Sequence, residues 1–261
     1  MLEVIDKGCS SESHPVPLLF VHGAWHAAWC WDEHFLPFFA DKGYRAVAVS
    51  LRGHGSSPPS KPLRTSIADY VDDVNSVAEG LPTRPVVIGH SVGGLVVQKY
   101  LESHNAPAGV LIASTPPHGN SGFWLRALRR HPWLTAGATV TGKWVRYLNT
   151  ADLARETLFS AQTAESDVAH YAARLQEGPP RRVQLDIMLL NLPRPSRVAT
   201  PLLVLGAECD GTYTPNEVRA TATAYRTEAE IFPGMGHEMM LEPRWAAVAQ
   251  RVHTWLGTRR L

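Results

Sequence analysis

The chain has few cysteines, no long apolar run and almost no net charge, and each shortage excludes a class of protein. Three cysteines, Cys9, Cys30 and Cys209, occur in 261 residues. Their odd number and the lack of CxxC spacing predict neither a disulfide framework nor a zinc site. No apolar stretch approaches the roughly 20 residues that cross a bilayer. We therefore expect no membrane-spanning helix, no metal, and a reducing compartment, the cytoplasm.

The charge balance and the first residues exclude two further classes. Lys and Arg number 25 against 24 Asp and Glu, a net charge of +1, so no overall field favours a nucleic-acid partner. The opening "MLEVIDKGCS" carries acidic residues early and has no apolar core, so we expect no signal peptide. The length suits one large domain, or one domain carrying an insertion.

Short apolar runs alternate with helical patterns along most of the chain. The strand candidates are residues 2–6, 16–21, 44–49, 85–89, 108–113, 201–206 and 228–232. Most are continuously apolar, as in strands that are covered on both faces of a parallel sheet. Helical spacing occupies residues 67–81, 91–104 and 243–256 between them. This alternation predicts an α/β fold, a mostly parallel twisted sheet flanked by helices.

The alternation stops between residues 116 and 195, which we call the connecting segment. Leucines and aromatic residues recur there at helical spacing, and prolines stand at both ends. We expect the connecting segment to form a helical cap, or lid, inserted into an α/β core made of residues 1–115 and 196–261.

One part of the connecting segment, residues 121–150, is strongly basic. It contains no Asp or Glu, and its cations are Arg126, Arg129, Arg130, Lys143 and Arg146. The favoured interpretation is an amphipathic lid with a solvated basic face. The alternative is that the lid docks on an anionic membrane or steers an anionic substrate.

The stretch "PVVIGHSVGG" places a serine in a tight strand-to-helix turn. Its pattern Gly89-x-Ser91-x-Gly93 follows an apolar strand and opens a helix, which is the context of a nucleophile elbow. Side chains at the two glycine positions would collide with the strand or helix backbone. The start of the helix adds free N–H groups and partial positive charge. The pattern therefore predicts that Ser91 is a nucleophile.

A serine nucleophile needs a base and an orienting acid. His237 lies in "FPGMGHEMMLEP", after the last strand, and Asp210 lies in "ECDGTYTP", after the strand before it. Glu208 and Glu238 are neighbouring carboxylates. Asp210 is preferred as the acid because it lies in the loop beyond the strand end. The order Ser91, Asp210, His237 needs neither metal nor organic cofactor.

The loop after "FVHG" is the candidate source of an oxyanion hole. We expect the backbone amides of Ala24 and Val92 to stabilise the developing oxyanion. The candidate substrate-pocket residues are Trp25, His26 and Trp124.

Taken in order, "FVHGAWH", "LRGHGSS", "GHSVGG", "LVLGAECD" and "GMGHEMMLEP" resemble the α/β-hydrolase superfamily. The resemblance is greatest to small lidded bacterial esterases and lipases, including lysophospholipase-like ones. It implies Ser91 as nucleophile, Asp210 as acid, His237 as base, and a small-molecule ester substrate with an apolar group. It also implies a reaction without a cofactor.

"HGAWHAAW" resembles the plant methylesterase and hydroxynitrile lyase group as well. The lyases carry a threonine at the position of Gly23 and a lysine directly after the catalytic histidine, where this chain has Glu238. Both differences favour ester chemistry. A thioesterase, acyltransferase, lactonase, perhydrolase or C–C hydrolase would use the same triad. A ligand receptor on a hydrolase scaffold, or a membrane-surface protein, stays open as a different class.

Overall fold

A seven-stranded sheet forms the centre of the protein. The computed structural model describes residues 1–148 and 150–261, and the side chain of Arg146 lies outside the described part. The strand order is β1-β3-β2-β4-β5-β6-β7. The strands are β1 (Val4–Lys7), β2 (Leu18–Val21), β3 (Ala46–Val49), β4 (Val86–His90), β5 (Gly109–Ile112), β6 (Leu202–Ala207) and β7 (Ala229–Phe232). β1 pairs antiparallel with β3, and every other described pair is parallel.

The predicted fold class is confirmed, and each predicted strand lies within two residues of an observed one. The central strands β2, β3, β4, β5 and β6 are buried along their whole length, because helices cover both faces. β1 alternates between exposed and half-buried residues, as an antiparallel edge strand does.

Eleven α-helices are found among the described residues. They are α1 (Trp29–Asp32), α2 (Phe35–Asp41), α3 (Ile67–Glu79), α4 (Ser91–Tyr100), α5 (Ser121–Arg130), α6 (Pro132–Thr141), α7 (Ala151–Leu158), α8 (Glu165–Ala172), α9 (Arg181–Leu185), α10 (Pro215–Ala224) and α11 (Trp245–Thr258). Not one of these described helices is both long enough and apolar enough to pass through a membrane.

The described residues of the connecting segment form helices joined by loops, with no strand between β5 and β6. It contains α5 to α9 and three short turns, at Trp144–Leu148, Asp186–Leu190 and Pro195–Arg197. α6 begins at Pro132 and ends at Gly142, whose φ of +74° is the left-handed conformation that glycine adopts easily. The prediction of a helical segment thus agrees with the structure, whereas its division from the core as a cap domain stays a prediction.

Candidate active site

Four loops meet at one edge of the sheet because the strands that precede them are parallel. Ala24 follows β2, Ser91 follows β4, Asp210 follows β6 and His237 follows β7. Carboxyl ends of neighbouring parallel strands lie side by side, so the residues just beyond them converge. The structure therefore brings the sequence-predicted residues of the site to a single edge.

Ser91 stands in a strained turn at the start of α4. Its φ is +51°, a conformation that costs energy for a residue with a side chain, and it is buried. A Cβ at Gly89 would collide with the carbonyl oxygen of Gly93, and one at Gly93 would collide with that of Val21. The two glycines thus let β4 turn sharply into α4. Ser91 lines the cleft described below.

His237 and Asp210 form a buried pair. His237 Nδ1 lies 2.9 Å from Asp210 Oδ2, and both side chains are inaccessible to solvent. The other oxygen of Asp210, Oδ1, accepts hydrogen bonds from the backbone amides of Thr212 at 2.7 Å and Tyr213 at 2.9 Å. Because the carboxylate is an acceptor, the Nδ1 proton stays on His237 and Nε2 carries a lone pair. Within the described residues, that Nε2 atom has no hydrogen-bond partner.

The electrostatic surroundings of His237 make it more basic than an ordinary histidine. Burial alone lowers its pKa, but the charge of Asp210, its hydrogen bond, and the nearby carboxyl of Glu238 together raise the pKa above 6.5. The arrangement stabilises a positively charged imidazolium. It can therefore take up a proton from a neighbouring hydroxyl group.

Ala24 and Val92 line the same cleft as Ser91. The loop that carries Ala24 approaches the turn at Ser91 very closely, since a Cβ at Gly23 would lie 2.9 Å from Ser91 Cβ. Trp25 then reverses the chain with a φ of +65°. Val92 is the second residue of α4, where backbone N–H groups lack partners inside the helix. Both backbone segments are thus close enough to the serine for their amides to face one reacting group.

The cleft beside Ser91 has mostly apolar walls. The connecting segment contributes Asn120, Phe123, Trp124, Trp144, Pro179, Gln184 and Ile187, and the strand-end loops contribute Ala24, Trp25, Ser91, Val92, Thr212 and Tyr213. Of the sequence-predicted pocket residues, Trp25 and Trp124 are in this lining and His26 is not. His26 is fully buried and its Nδ1 lies 2.8 Å from the carbonyl oxygen of Ala24. This hydrogen bond turns the imidazole into the protein, which is where the structure differs from the prediction.

Sequence reasoning missed several wall residues, notably Phe123, Trp144, Ile187 and Tyr213. Leucines and aromatic residues of the connecting segment recur at helical spacing, but this periodicity does not tell which helix faces the serine. The alternative acid Glu208 lies elsewhere and accepts a hydrogen bond from the amide of Gly234 at 2.8 Å.

A further polar group lies beneath the cleft. His90, His237 and Glu238 are buried, and each offers one potential metal-ligand atom within 4.8 Å of the others. His90 is the residue before Ser91 and Glu238 is the residue after His237. Nitrogen and carboxylate ligands of this kind bind zinc, but a metal there would occupy Nε2 of His237, the lone pair that accepts a proton.

Known proteins resemble this chain in sequence and in fold. A non-heme chloroperoxidase from Burkholderia pyrrocinia is 38% identical over 107 residues, which are 39% of this chain and 38% of that protein. The chain therefore spans less than half the length of this curated relative. A monoacylglycerol lipase from Mycolicibacterium smegmatis is 26% identical over 244 residues, covering 86% of this chain and 82% of the lipase.

The fold is shared with solved structures along nearly its whole length. A Mycobacterium tuberculosis protein described as a non-heme bromoperoxidase has a TM-score of 0.79 and 22% identity, with 99% of this chain and 96% of that one covered. A model of the alpha/beta hydrolase family matches residues 18–251, which include six of the seven strands and all four loops of the site. The chain belongs to the alpha/beta hydrolase family.

Proposed function

We propose that this protein is a serine hydrolase that cleaves a carboxylic ester through an acyl-enzyme on Ser91. The observation that carries the proposal is the buried pair of His237 and Asp210, 2.9 Å apart, at the sheet edge where Ser91 occupies a strained turn. A histidine with a fixed Nδ1 proton, a free Nε2 lone pair and a raised pKa is a suitable general base for a serine.

The reaction follows from these positions. His237 Nε2 takes the proton of the Ser91 hydroxyl as Oγ attacks the ester carbonyl. The amides of Ala24 and Val92 donate to the oxyanion, and Asp210 stabilises the imidazolium. His237 then gives the proton to the leaving alcohol, and Ser91 holds the acyl group. Water, deprotonated by His237, attacks the acyl-enzyme and releases the acid.

The lining of the cleft favours an ester with an apolar group. Trp25, Phe123, Trp124, Trp144 and Ile187 provide apolar surface around Ser91. Such a wall binds an acyl or alcohol group by burying it rather than by hydrogen bonds. Asn120 and Gln184 are the places where a polar group of the substrate would be recognised.

The first experiment is hydrolysis of p-nitrophenyl esters from acetate to long-chain acyl groups. We expect turnover, with a chain-length optimum that reports the size of the cleft. Preincubation with a fluorophosphonate should abolish it and label the peptide containing Ser91. Turnover that survives complete labelling of Ser91, or a wild-type protein that neither turns over nor is labelled, would contradict the proposal.

A second acyl acceptor is favoured by one comparison. The similarity to a non-heme chloroperoxidase makes hydrogen peroxide a candidate acceptor in place of water. Peroxide would attack the same acyl-enzyme and release a peracid, without change to the residues named above. Acid and peracid products measured with acetate ester and added peroxide would separate the two acceptors.

We also propose that the connecting segment touches an anionic lipid surface. Seven of its large apolar side chains are exposed, namely Leu125, Leu128, Trp133, Val140, Leu185, Leu189 and Leu190. Arg129, Arg130 and Lys143 of the same segment are exposed as well, and Arg130 lies 3.7 Å from Glu156. Arg126 is less exposed and pairs with Glu217 at 2.9 Å. The predicted contribution of the Arg146 side chain falls outside the described residues. Apolar side chains flanked by cations match the interface of an anionic bilayer.

Vesicle sedimentation tests this contact. Binding should increase when phosphatidylglycerol is added to phosphatidylcholine vesicles and decrease with salt. Trp133→Ser should weaken binding, while Leu63→Ser, which removes another largely exposed apolar residue outside the connecting segment, should not. Equal binding to neutral and anionic vesicles would contradict the contact.

The three free thiols, Cys9, Cys30 and Cys209, support a further proposal, that the protein works in the reducing cytoplasm.

A further inference from the structure

Two buried histidines next to the proposed triad each have one satisfied and one unsatisfied nitrogen. His26 Nδ1 lies 2.8 Å from the carbonyl oxygen of Ala24, and His90 Nε2 lies 3.0 Å from that of His237. Carbonyl oxygens only accept, so these nitrogens carry the protons of the neutral rings. The lone pairs are then on His26 Nε2 and His90 Nδ1. Neither atom has a hydrogen-bond partner among the residues described.

Both lone pairs face one carboxyl oxygen. Glu238 Oε2 lies 3.6 Å from His26 Nε2 and 3.9 Å from His90 Nδ1, and all three side chains are buried. If Glu238 were ionised, three hydrogen-bond acceptors would face one another with no donor between them. Such an arrangement of buried polar groups is unfavourable. A single proton resolves the conflict. On Oε2 or on His26 Nε2, the proton converts one acceptor into a donor that faces the other across 3.6 Å, slightly longer than a hydrogen bond.

The surroundings of Glu238 favour retention of that proton. Burial raises the pKa of Glu238 and the charges of Asp210 and Glu242 raise it further, while His26 and His237 act in the opposite direction. Burial lowers the pKa of His90 far below its usual value. The ionisable groups that face Glu238 are His26, His90, His237, Asp210, Glu242 and the Cys30 thiol.

This cluster connects the three loops on which the proposed reaction depends. His26 holds the carbonyl group of Ala24, whose amide is a proposed oxyanion donor. His90 precedes Ser91 and holds the carbonyl group of His237. Glu238 directly follows His237 and faces both histidines. The loops fit so closely that a Cβ at Gly23 would lie 2.9 Å from His90 Nδ1.

We propose that Glu238 is a positioning residue, which shares one buried proton with His26 and His90 and thereby fixes the oxyanion loop and the serine turn against the loop of His237. The inference rests on the proposed function, because the loops matter only if Ser91 is acylated. Loss of the shared proton at high pH leaves three acceptors facing one another and loosens this junction. An alkaline limb of the activity profile follows.

The test compares Glu238→Gln with Glu238→Met. The glutamine amide supplies an N–H donor to the histidines and does not ionise, so we expect kcat within about threefold of wild type and no alkaline limb in kcat/KM. Methionine supplies no donor. Since misplacement of about 1 Å costs on the order of 10²-fold, kcat of Glu238→Met should fall by about that factor with little change in KM.

Glu242→Gln is the matched control. Glu242 is equally buried in the same loop, but its carboxylate accepts from the Ser160 amide and hydroxyl at 2.6 Å, away from the proposed reaction centre. This variant should lose stability and keep an alkaline limb, which moves to lower pH because the charge of Glu242 no longer raises the pKa of Glu238. If Glu238→Met likewise lost only stability, or if Glu238→Gln kept the alkaline limb, the inference would be wrong.

Two further readouts separate the explanations. The pH dependence of fluorophosphonate labelling of Ser91 is measured in all variants, so an unsuitable ester does not hide the effect. Absent labelling in wild type refutes the proposed function, while identical labelling profiles in wild type and both Glu238 variants refute the positioning role alone. A stoichiometric metal in the purified protein, with activity that rises after EDTA treatment, would assign the cluster to a metal and overturn the shared proton.

Discussion

The strand-end loops and the connecting segment hold their side chains in different ways. In the loops, His237 and Asp210 are fixed by short hydrogen bonds inside the protein, and the serine turn contains glycines at which a Cβ would collide with backbone carbonyl oxygens. The connecting segment lines the cleft with aromatic and aliphatic side chains but leaves others, such as Trp133, almost fully exposed. Under the proposed function, the loops carry out the reaction and the connecting segment selects the molecules that reach it.

Ser91→Ala, the substitution with the largest expected effect, tests whether the strand-end loops carry the reaction. If the loops carry the reaction, kcat should fall by about 10⁶-fold, as when the serine of a comparable triad is removed. Stopped assays with p-nitrophenyl esters measure this loss. Ser114→Ala is the control, since Ser114 is a buried serine at the end of the neighbouring strand β5 and should keep wild-type activity within a few-fold. Activity of Ser91→Ala as high as that of Ser114→Ala would place the reaction elsewhere.

Asp210→Asn tests whether the acid acts through His237. Loss of the carboxylate should lower kcat by about 10⁴-fold, because the amide favours the wrong tautomer of the histidine. The pH profile should change as well. Activity needs neutral His237, so kcat/KM of wild type should decline as the pH falls through a pKa above 6.5.

The sign of the pH effect in Asp210→Asn follows from the same balance. Burial lowers the pKa of His237, and the charge of Asp210 is one of the effects that raise it. Without that charge, the lowering effect of burial is less fully opposed, so the pKa of His237 falls. The acidic limb should therefore move to lower pH. Glu208→Gln, in the same loop, should leave both kcat and the limb unchanged. A limb that stays in place in Asp210→Asn would show that the carboxylate does not set the basicity of His237.

The two regions also differ in how far the sequence predicts them. The strands and the positions of Ser91, Asp210 and His237 at one sheet edge could be predicted, because each depends on local sequence, such as the glycines around Ser91 and the loops after β6 and β7. The cleft wall could not, because it depends on how separate helices pack. His26 shows the limit even within a loop, since its neighbour Trp25 lines the cleft while His26 bonds to Ala24.

Trp124→Ala sharpens the division of roles. Trp124 lies in the cleft wall and packs edge-to-face on Trp144, with ring centroids 4.3 Å apart. Its removal should reduce the preference for a longer acyl chain over acetate by about tenfold in kcat/KM, the size of effect that apolar pocket contacts have on selectivity. Fluorophosphonate labelling of Ser91 should continue.

Trp133→Ala serves as the control for that substitution, because Trp133 belongs to the same segment but is 88% exposed and outside the cleft lining. Its ester selectivity should equal that of wild type. A loss of fluorophosphonate labelling in Trp124→Ala would mean that the connecting segment also supports the reaction itself, and the two roles would no longer be separate.

Arg126→Gln has the smallest expected effect. It tests how much a polar contact contributes to holding the connecting segment on the core. Arg126 on α5 pairs with Glu217 on α10 at 2.9 Å, in a partly exposed position. Such pairs contribute at most about 1 kcal/mol, so the free energy of unfolding should fall by about 0.5 to 1 kcal/mol, and less in high salt. Urea unfolding measures the change, with Arg219→Gln as the control on the exposed side of α10. A loss several times larger would mean that a specific polar contact fixes the connecting segment, as in the strand-end loops. A small loss would mean that apolar packing holds the connecting segment over the cleft.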